Sequence, residues 1–96
     1  MAAPIPTTYT FNFVQKIGIN DSMIEFTKMV ILLAFHDYPK NDYDKANFIM
    51  NKFKEKYGGI WSCGVMKGGD VCSEFFDYCI LVKYGGYDIK IWKTSL

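Results

Sequence analysis

The residue types best suited to chemistry are three cysteines, Cys63, Cys72 and Cys79, spaced nine and seven residues apart. A zinc site offers a close pair such as C-x₂-C together with two further ligands, and a redox pair uses the same close spacing. Neither pattern is present. The number of cysteines is odd and no secretory signal segment opens the sequence, so we expect free structural thiols in a reducing cytoplasm. We expect no metal and no cofactor.

The remaining candidates for catalysis do not form a site. His36 lies near the predicted end of a helix, where the helix dipole favours a solvated or capping histidine. The sequence "KGGD" (67–70) lacks the spacing of a phosphate-binding loop. Asp42, Asp44 and Glu74 do not follow the pattern of a calcium-binding loop. We therefore predict no catalytic residues and no enzymatic activity.

Composition excludes several classes of protein. The chain has 96 residues, of which 50% are hydrophobic and 18% aromatic, as expected for one folded domain. Such a small domain has a narrow stability margin, which oligomerisation commonly widens. The net charge of +1 argues against nucleic acid as a partner. The longest strongly apolar run, residues 29–35, is far shorter than the roughly 20 residues of a spanning helix, so we expect no membrane insertion.

The N-terminal half predicts an arm, a strand and a helix. Residues 1–8 contain two prolines and form a predicted flexible arm, and residues 9–96 form the domain. "YTFNFV" (9–14) alternates as a strand with one buried face does. Ser22 and Glu25 form an S-x-x-E capping box that starts a helix, which runs to about Tyr38. Residues 29–35 are apolar all round, so we expect a sheet and a second copy of the protein to cover this helix on two sides.

A second helix follows, with Asn41 or Asp42 as its N-cap and Gly58-Gly59 at its end. One stripe of side chains has the spacing of a core-facing surface. Its members are Ala46, Ile49, Phe53 and Tyr57. The opposite side is predicted to be solvated and consists of Lys45, Asn51, Lys52, Lys54, Glu55 and Lys56.

The C-terminal part is rich in predicted strands. "IWSCGVM" (60–66) and "DVCSEFF" (70–76) flank a glycine turn, and "YCILVKY" (78–84) and "YDIKIWK" (87–93) flank Gly85-Gly86, the clearest hairpin signal in the chain. The element order is β-α-α-β-β-β-β. Two consecutive helices against an antiparallel sheet predict an α+β fold.

One stretch resembles a known family. "NKFKEKYGGIWSC" (51–63) resembles the K-E-F-D-K-K-Y-x-x-x-W-H-C core of the small, dimeric cytoplasmic dynein light chains, and "IWKTS" (91–95) resembles their ending. The element order is also similar over residues 9–95. The resemblance implies a strand-swapped homodimer in which each subunit lends one strand, residues 69–76, to its partner's sheet. Short extended peptides then add to that strand, in a groove walled by the second helix of the other subunit.

The resemblance carries over to three groups of residues. The peptide-binding edge strand would consist of Gly69, Asp70, Val71, Cys72, Ser73, Glu74 and Phe75. The groove wall would include Asp42 and Tyr43, and the dimer interface would include Trp61, Ser62 and Cys63.

The chain departs from the family at each of these groups. Ser62 replaces an interfacial histidine, so a pH-switched dimer is not expected. "GGDVCSEF" (68–75) lacks the tyrosine and the Thr-His pair that line the groove for Thr-Gln-Thr-type ligands. At the wall, Asp42-Tyr43 stands in place of a Glu-Lys pair.

Two functions follow from the resemblance. The first is a dynein-associated adaptor in the cytoplasm, on the microtubule cytoskeleton, whose partners are itself and short linear peptides such as segments of the dynein intermediate chain. The second is a dimerisation module within a larger calcium-binding protein, since flatworm tegumental proteins exist in which a similar domain follows a pair of EF-hands.

Overall fold

The computed structural model describes residues 10–67 and 76–94. Within them the chain forms four strands and two helices: β1 (Asn12–Ile17), α1 (Asp21–Asp37), α2 (Asp42–Tyr57), β2 (Trp61–Met66), β3 (Phe76–Tyr84) and β4 (Tyr87–Thr94). Every predicted element in the described ranges is present. The predicted arm lies outside the described residues, as does the predicted strand at 70–76 apart from Phe76, which begins β3.

The start of α1 differs from the prediction. The N-cap is Asn20, whose side-chain oxygen accepts a hydrogen bond from the backbone N–H of Met23 at 2.9 Å. The predicted capping box was wrong, because the helix begins at Asp21 and Ser22 therefore lies inside its first turn. The helix ends at Asp37, within one residue of the predicted end.

Helix α2 begins and ends as predicted. Of the two candidate caps, Asn41 is the N-cap, and its side-chain oxygen accepts from the backbone N–H of Asp44 at 3.0 Å. Gly58 has φ +70° and its N–H donates to the carbonyl of Lys54 at 2.9 Å, which satisfies one of the last helical carbonyls.

The four described strands form one antiparallel sheet in the order β1-β3-β4-β2. The central hairpin β3–β4 turns at Gly85 and Gly86, both with positive φ, as the sequence predicted. β1 pairs with β3 and β2 pairs with β4. The two edges of the described sheet are therefore β1 and β2.

Both helices pack on one face of the sheet, which we call the inner face. The core combines apolar residues of α1 and α2 with alternate residues of the strands. Its buried members are Met23, Val30, Ile31, Ala34, Ile49, Phe53, Trp61, Ile80, Val82, Tyr84, Ile89 and Ile91. This two-layer arrangement confirms the predicted α+β fold.

The second half of α1 is buried on one side within the chain. Val30, Ile31 and Ala34 face the core, whereas Met29 is 50% exposed. With Phe11 and neighbouring α1 side chains, Met29 lines a shallow groove of about 360 Å³. A second cover over this helix stays a prediction. Neither of the two described helices is long and apolar enough to cross a membrane.

Candidate functional site

The candidate site starts at the edge strand β2. Its residues pair with β4 from Trp61 opposite Lys93 to Met66 opposite Asp88. Among residues 10–67 and 76–94, no strand pairs with the other side of β2. Backbone N–H and C=O groups on an open edge can accept a further strand. The edge of β2 is therefore a surface at which another chain can add.

The face of the sheet opposite the helices forms a second surface, which we call the outer face. Its residues alternate in sequence with those of the inner face and are paired with one another across the strands. They are Asn12, Gln15, Ile17, Ser62, Gly64, Met66, Cys79, Leu81, Lys83, Asp88, Lys90 and Trp92. None of them belongs to the core that the helices and the inner face share.

Charged and apolar groups are mixed on the outer face. Asp88 is only 6% exposed, and its carboxylate lies 3.8 Å from the amine of Lys83. The amine of Lys90 lies 4.8 Å from the centre of the Trp92 ring, a cation–π distance. Met66 and Trp92 are half-buried. This surface offers half-buried apolar area to a partner, and its buried carboxylate, Asp88, already has a cationic neighbour within the chain.

Of the three residues assigned to a dimer interface, Ser62 lies on the outer face, opposite Trp92. Trp61 and Cys63 point to the inner face, because side chains alternate along a strand. Trp61 is 2% exposed, and its indole N–H donates to the carbonyl of Gly58 at 2.8 Å. Cys63 is half-buried with a free thiol, and burial raises the pKa of that thiol. The dimer interface itself stays a prediction.

The predicted groove wall lies in the first turn of α2. Tyr43 is 74% exposed, the largest exposed fraction among the large apolar side chains of the described residues. Asp42 accepts a hydrogen bond from the side chain of Lys45 at 2.9 Å. The turn thus presents an aromatic ring beside a carboxylate that already has a cationic partner.

Lys45 was predicted to be solvated, and this was wrong. Its side chain is 1% exposed. The amine also donates to the carbonyl of Pro39 at 3.3 Å and lies 4.9 Å and 5.3 Å from the ring centres of Phe35 and Tyr87. The carboxylate, the carbonyl and the two rings replace the water that a lysine normally keeps. The burial of Lys45 was not predicted, because the prediction used the charge of the lysine side chain and not its position in the helix.

The predicted edge strand, Gly69 to Phe75, lies outside the described residues, so its role in peptide binding stays a prediction. Among the described residues, no group of three or more histidine, cysteine, aspartate or glutamate side chains could hold a metal ion. His36 is exposed in the last turn of α1, where its ring lies 3.1 Å from the Asp37 carboxylate.

Cys63 and Cys79 are strand residues, as expected. The expectation of free thiols is wrong at Cys79, which is disulfide-bonded. Spacing along the chain argued against a close cysteine pair, but spacing does not report which cysteines the fold brings together.

Comparison with known proteins identifies the fold. No protein family and no curated protein sequence matches the chain. Two solved structures of the dynein light chain-like domain of the Fasciola hepatica calcium binding protein FhCaBP2 do match. The mercury derivative is 21% identical with a TM-score of 0.78 and covers 98% of this chain and 100% of that one. The native P6422 form is 19% identical with a TM-score of 0.80 and covers 93% of this chain and 95% of that one. The chain has the dynein light chain-like fold that its sequence predicted.

Proposed function

We propose that this domain is a non-enzymatic homodimeric adaptor that binds short extended peptides by adding them to its sheet. The open edge of β2 carries the proposal, because nothing in the described part of the chain pairs with it. Residues 69–76 of a second subunit would pair with this edge, and a peptide would then pair with the far side of that borrowed strand. Main-chain hydrogen bonds would supply affinity, and side-chain pockets would supply selectivity.

The outer face supports the dimer. Both helices lie on the inner face. On the outer face Cys79, Leu81 and Asp88 are already buried within the chain, so a second sheet can pack on its half-buried part along β2. Half-buried Met66 and Trp92 provide apolar area there, and Ser62 lies beside them. The start of α2, with Asp42 and Tyr43, would form one wall of the peptide groove of the partner subunit.

The partners we propose are a second copy of this chain and short linear peptides, among them segments of the dynein intermediate chain. The domain would serve as a dynein-associated light chain in the cytoplasm, on the cytoskeleton. We propose neither an enzymatic activity nor a cofactor, since the residue types and spacings above form no catalytic constellation.

Sedimentation equilibrium from nanomolar to tens of micromolar protein tests the dimer first. We expect a dimer that persists into the low micromolar range. Ser62→Asp places a negative charge on the outer face of both subunits and should shift the mass towards the monomer. Asn51→Asp adds the same charge on the exposed side of α2 and should leave the mass unchanged. A monomer throughout the wild-type series contradicts the proposal.

Isothermal titration tests the second half of the function. A panel of Thr-Gln-Thr peptides and dynein intermediate-chain segments should include at least one ligand that binds with one peptide per subunit. Val71→Pro removes a backbone donor from the predicted edge strand, and we expect it to weaken that binding. If a proven dimer binds no peptide in the panel, the adaptor role is wrong.

A second proposal is favoured by the two solved structures, since each is a domain of a calcium binding protein. In this alternative the domain is the dimerisation or interaction module of a larger calcium-binding tegumental protein. The full-length transcript distinguishes the two proposals. EF-hand loops encoded upstream of Met1 would support the module, and an in-frame stop codon there would contradict it.

A further inference from the structure

A polar cavity of about 260 Å³ lies beside the turn of the β3–β4 hairpin, where the hairpin meets the start of β1. All of its lining residues belong to the described part of the chain. Those that offer polar groups or space to a ligand are Thr10, Asn12, Lys83, Gly85, Gly86 and Asp88. An added Cβ at Gly86 would meet nothing within 4 Å, so the turn leaves room beside it. A cavity of this volume suits a ligand smaller than a drug molecule.

The carboxylate of Asp88 is the unusual group in this cavity. Its side chain is only 9% exposed. Lys83 lies directly opposite in the strand register, but its amine is 3.8 Å from the carboxylate, beyond the roughly 2.8 Å of a charge-assisted hydrogen bond. No group in residues 10–67 and 76–94 donates a hydrogen bond to Asp88. A largely buried carboxylate therefore lines the cavity with its acceptor capacity unused.

Among the described residues, the other buried charged side chain is Lys45, and it shows what full compensation requires. Its amine lies 2.9 Å from the Asp42 carboxylate and 3.3 Å from the Pro39 carbonyl, with the centre of the Phe35 ring at 4.9 Å. A charge that is removed from water is stable when partners of this kind surround it. The donors that Asp88 lacks within the described chain can come from a ligand in the cavity.

The charges around the cavity restrict the kind of ligand. The Asp88 carboxylate needs N–H donors, and an ammonium group carries three of them. The side chain of Lys83 is 58% exposed, so its amine can reach a ligand, and its positive charge opposes the entry of a bare cation. Asp88 opposes a bare anion in the same way. The two charges cancel, so the best-matched ligand is one that itself carries both charges.

We propose that this cavity binds a small zwitterion of the size of an α-amino acid, with its ammonium group on the Asp88 carboxylate and its carboxylate on the Lys83 amine. Asn12 lies opposite Lys83 in the register and adds an uncharged polar group beside the ligand. Every group that this site needs comes from one chain. The inference therefore goes beyond the proposed function and rests neither on the peptide groove nor on the dimer.

Four small probes test the charge pattern in the wild-type protein. Glycine carries both charges, methylammonium the cation alone and acetate the anion alone, and betaine carries both charges without an N–H donor. Heteronuclear NMR follows each titration through the backbone N–H signals of Asn12, Gly85, Gly86 and Asp88. Glycine should shift these signals in a saturable way, with an affinity at least about tenfold above that of each other probe.

Two variants test the two charged residues. Asp88→Asn keeps the shape of the side chain but removes its charge, and it should weaken glycine binding by at least about tenfold. Lys83→Met lies at an exposed position, and it should weaken glycine binding while it strengthens methylammonium binding, because the opposing charge is gone. Asp77→Asn and Lys16→Met are the matched controls. Both residues are exposed, in β3 and β1 respectively, and neither lines the cavity, so both variants should bind glycine as the wild type does.

Three outcomes would overturn the proposal. If glycine causes no saturable shift, the cavity only hydrates an ion pair and is not a ligand site. Equal affinities for glycine and betaine would show that the Asp88 carboxylate does not accept hydrogen bonds from the ligand. If glycine binding is unchanged in folded Asp88→Asn protein, or methylammonium binding does not rise in Lys83→Met, these two residues do not form the site.

Discussion

At the residue scale, the end of α2 and the start of β2 meet in a cluster of aromatic rings around Trp61. The ring centres of Phe53, Tyr57 and Tyr78 lie 5.0, 6.0 and 5.8 Å from that of Trp61. The amine of Lys93 lies 5.9 Å from the same ring. Since Trp61 also has its hydrogen bond to Gly58, its indole has both apolar and polar partners, and smaller side chains would leave a cavity.

Trp61→Ala should therefore lower the free energy of unfolding by about 3–5 kcal/mol, through lost apolar burial and the cavity that remains. Trp61→Phe keeps a ring but loses the hydrogen bond to Gly58, so its loss should be smaller. Urea unfolding followed by circular dichroism measures both. A folded Trp61→Ala protein with an unchanged midpoint would show that the ring is not part of the core.

The sequence predicted the core-facing stripe of α2 and failed at Lys45 for an identifiable reason. The stripe Ala46, Ile49, Phe53 and Tyr57 follows helical spacing, and Ile49 and Phe53 are fully buried. Lys45 lies four residues before Ile49, so its position already pointed inwards, but its side-chain type outweighed its position in the prediction. The partners that stabilise it, Phe35 and Tyr87, come from distant parts of the chain, and no local pattern reveals them.

At the scale of the elements, two glycines with positive φ connect neighbouring elements under different constraints. Gly18 follows β1, with φ +69°, and an added Cβ would lie 2.5 Å from the backbone oxygen of Asp77. Gly86 lies in the hairpin turn with φ +81°, and an added Cβ would meet nothing within 4 Å. Position 18 therefore requires glycine for both conformation and space, and position 86 for conformation alone.

Gly86→Ala should cost about 1 kcal/mol of stability, the usual penalty for an ordinary residue in the left-handed region. Gly18→Ala should cost clearly more, because the clash is with a backbone oxygen, which cannot rotate away as the end of a side chain can. Thermal unfolding of the two variants side by side gives the comparison. Equal losses would mean that the sheet can shift to admit a methyl group beside Asp77.

The start of α1 provides a second comparison, because the sequence "NDSMIE" (20–25) contains two overlapping capping patterns. Asn20→Ala should cost about 1 kcal/mol, since it removes the acceptor for the Met23 N–H. Ser22→Ala should change stability by less than about 0.5 kcal/mol, because Ser22 is exposed inside the helix. Urea midpoints measure both. The reverse order of losses would restore Ser22 as the cap.

At the scale of the whole molecule, the sequence predicted the order of elements but not the order of strands in space. The hairpin β3–β4 was predicted correctly, because its turn carries a local signal, Gly85-Gly86. β1 pairs with β3 and β2 with β4, and the paired strands are far apart in the chain. Hydrophobic periodicity identifies a strand but does not show with which other strand it pairs. For the candidate site, the family resemblance suggested Tyr43 and Ser62, whose roles stay predictions, whereas the open edge of β2 required the sheet order.

The molecule should lose stability in alkali. Burial raises the pKa of the Cys63 thiol above its ordinary value of 9.0 and that of the Tyr57 hydroxyl above 10.0. Above pH 9 the unfolded thiol therefore releases a proton that the folded thiol keeps, and stability falls as pH rises. The slope for Cys63 should approach about 1.4 kcal/mol per pH unit, with Tyr57 adding to the loss above pH 10.

Urea unfolding between pH 7 and 10 checks this expectation. The Cys63→Ala variant has no thiol at this position, so its stability should be lower at pH 7 but nearly independent of pH between 9 and 10. An equal alkaline slope in wild type and variant would assign the loss to another group.

The strand order also has a consequence for how the chain folds. The central hairpin is the one strand pair of the described sheet that closes over a two-residue turn, so it can form early and at low entropic cost. β1 and β2 each pair with a strand that lies much later in the chain, and they add to opposite sides of the hairpin. Substitutions in the hairpin should therefore slow refolding, whereas substitutions confined to the edges should mainly speed unfolding. During synthesis, β2 is made before β4, the strand with which it pairs. On the nascent chain both sides of β2 are therefore unpaired and open to misassembly.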